Sequence, residues 1–346
     1  MKNKKKNIAL IIIISSLVIY LVLKDNFTEK LHYLFSINPV YLIISFLMII
    51  LYWIIKGIAL YNCVYQIEKK YTKKDGIKLM ITTQLFHAIT PFASGGQPWQ
   101  IYRLKKDGIP LSKSTNIIIE DFITYQLALV LLGIIAVISN AALKILPSNS
   151  TLSYLVTIGF LINTLVVIML FAVAFNKKIN KIIITLAANI LSKLKIIKSK
   201  KELIDKSDKY IKNFHESALI LFKNKINLIK IVMLNFLSLL ILYLIPFTIM
   251  LGLNIYINPF YVIITSAYVM LIDSIIPTPG STGGLEYGFM SFFKTFVKNP
   301  KLSVIMIVWR IVTYYFGIFV GLLFLSINKE EKQWELAYLQ KHIHHI

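Results

Sequence analysis

The sequence predicts an all-α protein that crosses a lipid bilayer several times. Its 346 residues are 57% hydrophobic and 16% charged, whereas soluble domains carry about 25% charged residues. Apolar runs recur along the whole chain, and about 20 such residues cross a hydrocarbon core of roughly 30 Å. Basic residues are concentrated in the loops between these runs. Together these observations exclude a soluble enzyme.

Nine apolar segments carry this prediction. They lie at about 8–23, 39–64, 77–91, 115–140, 152–175, 227–251, 259–276, 285–297 and 302–327. The third and the eighth are short, and each adjoins a Pro/Gly-rich break, which predicts re-entrant or broken helices. The first follows four lysines and resembles a secretory signal. Because no small-residue cleavage site follows it, we expect an uncleaved first transmembrane helix.

The distribution of basic residues sets the expected orientation. The formal net charge is +22, and 30 of the 38 Lys and Arg residues fall in loops on one side of the alternating spans, against six on the other. Cytoplasmic loops carry an excess of Lys and Arg. We therefore expect a multi-pass protein of the bacterial plasma membrane whose N- and C-termini are both cytoplasmic. A nucleic-acid partner is not expected, since the basic residues lie between apolar runs.

We divide the chain into a transmembrane domain, residues 1–327, and a cytoplasmic tail, residues 328–346. The domain includes a basic cytoplasmic connector at about 177–230, in which apolar residues recur at spacings of three and four, typical of an amphipathic helix. This helix could rest on anionic headgroups, dock a partner or simply connect two spans. Cys63 is the single cysteine. With no nucleotide, metalloprotease or serine-hydrolase motif either, we expect no catalytic residue, metal or cofactor.

An internal repeat surrounds the two breaks. Residues 91–96 and 279–284 both read P-x-x-[S/T]-G-G, and each follows a short apolar helix. An acidic residue lies 25 residues after the first motif and an arginine 26 residues after the second, each followed one turn later by a tyrosine: Asp121 with Tyr125, and Arg310 with Tyr314. Under the charge-derived topology the two copies enter the membrane from opposite sides. The sequence therefore predicts two inverted repeats, an architecture that places substrate sites near the membrane midplane.

Several charged residues fall in or beside apolar segments: Lys56, Glu120, Asp121, Asp273, Glu286 and Arg310. A charge at the bilayer centre costs at least about 2.5–3.5 kcal/mol, so such residues usually face a cavity and have a partner. Arg310 could hold a phosphodiester in bidentate fashion or pair with Glu286 or Asp273. Glu120 and Asp121 could instead act at a helix N-terminus, and Lys56 could extend its ammonium to the interface.

Three stretches resemble a known family: "TPFASGGQPWQIYRLKKDGIP", "IIPTPGSTGGLEYGF" and "WRIVTYYFGIFVGLL". Together with the segment pattern they resemble, over about residues 8–327, the flippase-like transmembrane family of lysylphosphatidylglycerol synthases, the membrane half of the multiple peptide resistance factor. The resemblance implies a two-repeat fold that moves aminoacylated or other anionic phospholipids between leaflets. It matches Gly95, Gly96, Arg103, Pro279, Gly280, Gly284, Glu286 and Arg310. Many relatives carry an acidic residue where this chain has Gln97.

Two functions remain open from the sequence. The first is a lipid flippase or transporter that binds a phospholipid such as lysylphosphatidylglycerol. The second is a phosphatidylglycerol lysyltransferase-family protein that acts as the membrane partner or regulator of a separate soluble synthase. Besides membrane phospholipids, a soluble synthase or further copies of the chain in a homo-oligomer stay open as partners. Bifunctional members carry a soluble aminoacyltransferase domain, whereas this chain stops soon after Ile327, so we expect no lysyl transfer by it.

The candidate substrate-binding residues combine the two motifs, the charges within the membrane and the tyrosines that follow them. They are Ser94, Gly95, Gly96, Gln97, Arg103, Glu120, Asp121, Tyr125, Asp273, Pro279, Gly280, Gly283, Gly284, Glu286, Arg310 and Tyr314.

Overall fold

The computed structural model describes most of the transmembrane domain. The described residues are 26–146, 150–193, 211, 215, 216, 218–220, 222–273 and 275–327. The predicted first span and the cytoplasmic tail lie outside them, as does most of the basic connector after residue 193. Every regular element within the described part is a helix, which confirms the predicted all-α class.

The helices before the connector are α1 (Phe27–Ser36), α2 (Pro39–Ile67), α3 (Lys73–Ile89), α4 (Gly96–Lys106), α5 (Leu111–Leu143), α6 (Ser150–Phe175) and α7 (Lys177–Lys193). Those that follow are α8 (Lys225–Gly252), α9 (Pro259–Asp273), α10 (Gly284–Phe293), α11 (Lys301–Arg310), a π-helical turn (Ile311–Tyr315) and α12 (Phe316–Ile327).

Five stretches of the described chain are helical, long and apolar enough to cross a membrane. They are Pro39–Ile67, Leu111–Leu143, Leu152–Phe175, Lys225–Gly252 and the continuous run Lys301–Leu325. The shorter helices form two hairpins: α3 and α4 flank the first glycine break, and α9 and α10 flank the second. The structure therefore confirms that helices stop at both predicted interruptions.

Local sequence explains where these helices start. Asn38 caps α2, because its side-chain oxygen accepts a hydrogen bond from the Val40 amide at 2.9 Å, and a proline occupies the first helical position. Thr72 and Asp75 form a capping box at the start of α3, in which each side chain accepts from the other residue's backbone amide.

The long helices α2 and α8 pack against each other in antiparallel orientation. Near the start of α2, Ser45 Oγ lies 2.7 Å from Thr248 Oγ1 at the end of α8. Near the end of α2, Asn62 Oδ1 accepts a hydrogen bond of 2.9 Å from Lys230 Nζ at the start of α8. Around this pair, α3 packs on α12 and α9 packs on α5.

Three of the loops that the charge pattern assigns to the outer side of the membrane lie at one end of the bundle. The amide of Asn38 donates to the carbonyl of Gly252 at 2.9 Å. The Lys301 ammonium lies 5.1 Å from the centre of the Tyr33 ring. These four residues belong to three loops predicted to be external, so the alternation of spans agrees with the bundle. Which end faces the cytoplasm stays a prediction.

The basic connector begins with a helix, as its periodicity predicts. α7 follows α6 after a single residue, Asn176, and exposes the apolar side chains of Ile182 and Leu186 beside Lys178 and Lys181. α7 therefore presents both basic and apolar groups at its surface.

Candidate functional site

The two glycine breaks meet inside the bundle. Pro91 and Pro279, the first residues of the two motifs, form an isolated antiparallel backbone bridge. The hydroxyl of Tyr314, which follows the second break, donates to the carbonyl of Ala88, which precedes the first, at 3.1 Å. Two segments that are almost 190 residues apart in sequence thus form one structural unit.

The first break is a tight turn closed by two side chains at the end of α3 and just after it. Thr90 Oγ1 accepts from the Gly95 amide at 2.8 Å, and His87 Nδ1 lies 2.6 Å from the Ala93 carbonyl oxygen. A Cβ atom at Gly96 would overlap the His87 ring. Glycine at this position therefore allows the backbone to approach the histidine closely.

The second break uses glycine for its conformation as well as for space. Gly280 has φ of +60° and Gly283 has φ of +95°, backbone values that residues other than glycine rarely adopt. A Cβ atom at Gly280 would also overlap the Tyr314 ring. Glu286 caps the helix that follows, since its Oε2 accepts from the Gly283 amide at 2.6 Å.

Arg310 joins this second break to the last membrane span. Its Nε lies 2.8 Å from Glu286 Oε1, and its Nη2 donates to the Gly280 carbonyl at 2.8 Å. The guanidinium also lies 4.5 Å from the centre of the Tyr314 ring. Both members of the ion pair are buried. Of the two roles that the sequence left open for Arg310, the structure shows the pairing with Glu286.

A second charged cluster lies at the centre of the α2–α8 contact. Lys56 Nζ donates to Asn235 Oδ1 at 2.8 Å and lies 4.0 Å from Asp121 Oδ2. The same ammonium stands 4.4 Å above the Tyr125 ring, and Asn235 Nδ2 donates to Thr124 Oγ1 at 3.1 Å. Lys56 is only 6% exposed. Its ammonium therefore points into the bundle and does not extend to the interface.

Two neighbouring cavities surround these clusters. The larger, about 440 Å³, is lined by Lys56, Asp121 and Tyr125, while the smaller, about 160 Å³, is lined by Arg310 and Tyr314. Residues that line both cavities include Tyr52, Gln84, His87, Ala93, Met270 and Asp273. The cavities are therefore adjoining compartments of one hollow, to which both halves of the chain contribute.

The structure brings many of the predicted site residues to this hollow. Those that line a cavity are Gln97, Asp121, Tyr125, Asp273, Gly280, Arg310 and Tyr314. Those that shape the two breaks behind the lining are Gly95, Gly96, Pro279, Gly283, Gly284 and Glu286.

Three predicted residues lie elsewhere. Ser94 is exposed on the first turn, where its hydroxyl donates to the Pro91 carbonyl at 2.9 Å. Arg103 lies seven residues along α4 and pairs with Asp107 at 3.3 Å. Glu120 is buried but accepts from Gln66 Nε2 at 3.1 Å, and it lines neither cavity.

Sequence reasoning missed several polar residues of the hollow. Uncharged examples on the lining of the larger cavity are Tyr52, Gln84, Gln100, Gln126 and Asn163, and Asn235 lies behind it. The available signal was a polar side chain inside an apolar segment. A neutral amide gives that signal weakly, because its insertion cost is lower than that of a charge.

A helical bundle with broken helices meeting at a buried, charged hollow defines a polytopic membrane protein with an internal polar site. The family model described as the lysylphosphatidylglycerol synthase TM region matches residues 7–321, so the chain belongs to this family. It is also similar to a UPF0104 membrane protein of Archaeoglobus fulgidus, at 23% identity over 316 residues, which cover 84% of this chain and 87% of that protein. No solved structure matches the chain. The resemblance seen in the sequence is thereby confirmed.

Proposed function

We propose that this protein is a lipid flippase, which binds the headgroup of an anionic or aminoacylated phospholipid in the central hollow and transfers it between leaflets. The observation that carries the proposal is the meeting of the two breaks at Pro91 and Pro279, beside cavities lined by buried charges. Charged groups inside a membrane domain are costly unless they serve a pathway or pair with one another.

The packing of equivalent helices supports the inversion of the two halves. By their position before the breaks, α2 corresponds to α8 and α3 corresponds to α9. The equivalent helices α2 and α8 are antiparallel, and the bridge joins equivalent prolines in antiparallel orientation. Both features are what a two-fold axis in the membrane plane produces. Inverted repeats of this kind allow one half to rock against the other around a central site.

The chemistry of the hollow suits a polar headgroup that carries an amine as well as a phosphate. Asp121 and Asp273 supply negative charge for the amine, and Lys56 and Arg310 balance that charge within the lining. The larger compartment, about 440 Å³, lies within the range of about 300–1,000 Å³ that small-molecule sites occupy. We propose lysylphosphatidylglycerol as one such lipid, with its acyl chains remaining in the bilayer.

A reconstitution experiment tests the proposal. Purified protein in liposomes that contain lysylphosphatidylglycerol should accelerate the exposure of its amines to a membrane-impermeant, amine-reactive dye added from outside. The matched control is a variant with both Asp121→Asn and Asp273→Asn, incorporated at equal density. If the unsubstituted protein gives no faster labelling than protein-free liposomes, for this lipid and for phosphatidylglycerol analogues, the proposal is wrong.

The location in the cell is part of the same proposal. We place the protein in the bacterial plasma membrane with both termini in the cytoplasm, and we take membrane phospholipids as its partners. Movement of an aminoacylated lipid to the outer leaflet would lower the negative charge of the cell surface. Such a change would connect the protein to lipid metabolism and to antibiotic resistance.

A further inference from the structure

Asp121 has unused hydrogen-bonding capacity inside the bundle. The residue is 6% exposed and lines the larger cavity. Among the residues that the structure describes, none donates a hydrogen bond to its buried Oδ1. A buried carboxylate oxygen without a donor carries a desolvation penalty. A ligand donor that displaced the covering atoms and reached Oδ1 would remove this penalty.

Lys56 neutralises Asp121 only at a distance. The separation of 4.0 Å between Lys56 Nζ and Asp121 Oδ2 exceeds the 2.7–2.9 Å that is typical of a charge-assisted hydrogen bond. Asn235 and the Tyr125 ring hold the ammonium where it is, through contacts of 2.8 and 4.4 Å. The attraction between the two charges therefore acts without a direct hydrogen bond.

We propose that Lys56 is an internal counter-ion of Asp121, which competes with the ammonium group of a ligand and so determines how tightly the larger cavity holds cationic headgroups. The proposal rests on the proposed function. Without ligand, Lys56 compensates the buried carboxylate. A ligand ammonium that reaches Asp121 gains the hydrogen bond that Lys56 does not make, but it also experiences repulsion from the nearby lysine.

This role has a counterintuitive consequence for binding. Removal of the Lys56 charge abolishes the repulsion and leaves Asp121 uncompensated, so ammonium ligands should bind more tightly. A lysine that instead bound phosphate directly would give the opposite result, since its loss would weaken the binding of anions. Binding measurements with two simple amphiphiles can separate these roles.

The experiment uses the full chain in a neutral detergent, with dodecylammonium and dodecyl phosphate as probes and binding followed by isothermal titration calorimetry. Lys56→Met is compared with the unsubstituted protein and with Lys294→Met, the same exchange at an exposed residue at the end of α10. We expect Lys56→Met to bind dodecylammonium about tenfold more tightly and dodecyl phosphate with unchanged affinity. Lys294→Met should leave both affinities unchanged.

Two further variants test whether the gain in amine affinity depends on Asp121 and on the choice of substitution at Lys56. The double variant Lys56→Met/Asp121→Asn, which removes both charges, should lose the whole gain in amine affinity. Lys56→Gln serves the same purpose if Lys56→Met does not remain monodisperse. Weaker phosphate binding by Lys56→Met, unchanged affinity for both probes, or a gain that persists in the double variant would each overturn the proposal.

The two proposals can fail separately. If liposomes show no lipid transfer while Lys56→Met still tightens amine binding through Asp121, the flippase function is wrong and the counter-ion role stands. If lipid transfer occurs while amine affinity does not depend on Lys56, the counter-ion role is wrong and the transport function stands.

Discussion

The two charged clusters of this protein differ in how closely their opposite charges approach each other. Each has one buried polar atom without a hydrogen-bond partner among the described residues, Arg310 Nε in one and Asp121 Oδ1 in the other. At the second break, Arg310 lies 2.8 Å from Glu286 and donates to the Gly280 carbonyl, also at 2.8 Å. In the first half, Lys56 and Asp121 are 4.0 Å apart, and one buried carboxylate oxygen has no donor within the described part of the chain. Both clusters face the central hollow through Arg310, Lys56 and Asp121.

This difference indicates different roles for the two ion pairs, Arg310–Glu286 and Lys56–Asp121. The Arg310 cluster stabilises a turn that needs glycine at positive φ. Its charged groups therefore contact the protein itself more than they are available to a ligand. The Lys56 cluster leaves hydrogen-bonding capacity next to the larger cavity. We therefore expect substitutions in the Lys56–Asp121 cluster to affect ligand binding and transport, and substitutions in the Arg310–Glu286 cluster to affect folding first.

The largest expected effect is on stability, from Arg310→Ala. Loss of one partner leaves Glu286 as an uncompensated buried charge, so the free energy of unfolding should fall by about 3–5 kcal/mol. Equilibrium unfolding in mixed micelles measures this change. The double variant Arg310→Met/Glu286→Gln should lose less, because no buried charge is left alone. A stable Arg310→Ala protein that no longer moves lipid would contradict the structural role of this pair, since Arg310 would then act on the ligand.

The next effect concerns the second turn itself. Gly280→Ala places a Cβ at φ of +60° and against the Tyr314 ring, which should lower the free energy of unfolding by about 1–3 kcal/mol. Gly288→Ala is the matched control, because it lies inside α10 with its nearest new neighbour at 3.5 Å. That exchange should be neutral or stabilising by about 0.5–1 kcal/mol. Equal destabilisation by both exchanges would show that the turn has no special conformational demand.

Two adjacent carboxylates sharpen the comparison within the first half. Asp121 lines the larger cavity, whereas Glu120 binds Gln66 on another side of α5. Asp121→Asn should slow lipid transfer in liposomes about tenfold, equivalent to about 1.4 kcal/mol. Glu120→Gln should slow it less than about twofold, since a neutral amide can still bond to Gln66. The reverse order of effects would mean that the ligand approaches α5 from the other side.

The smallest expected effect is at Arg103. This residue pairs with Asp107 one turn away at a partly exposed site, and exposed pairs of this spacing contribute about 0.3–0.5 kcal/mol. Arg103→Ala should therefore change the rate of lipid transfer less than about twofold, measured in the same liposomes. A loss as large as that of Asp121→Asn would indicate that Arg103 belongs to an entry path for the headgroup.

Much of the fold follows from the sequence, for clear physical reasons. Long apolar runs fix the spans, and the glycine and proline residues of the two motifs fix where the short helices stop. The pairing of Arg310 with Glu286 was one of the predicted alternatives, because charged residues inside a membrane usually pair with one another.

The detailed geometry of the site could not be predicted in the same way. Lys56 finds its hydrogen-bond acceptor, Asn235, 179 residues away on another predicted span. Glu120 and Asp121 are neighbours in sequence, and only the packing of α5 decides which faces the cavity. Arg103 follows Gly96 by seven residues, and a helical rise of 1.5 Å per residue carries it about 10 Å from the break.

Cross-linking across the two breaks tests the central claim most directly. In a Cys63→Ala background, Phe92→Cys and Thr278→Cys flank the Pro91–Pro279 bridge, and a short thiol cross-linker applied to intact membranes should join them. Phe92→Cys paired with Lys298→Cys, beyond the end of α10, is the control and should not cross-link. If the pair at the bridge stays separate while an impermeant thiol reagent modifies both cysteines from the same side of the membrane, the two breaks do not meet within the bilayer and the account is contradicted.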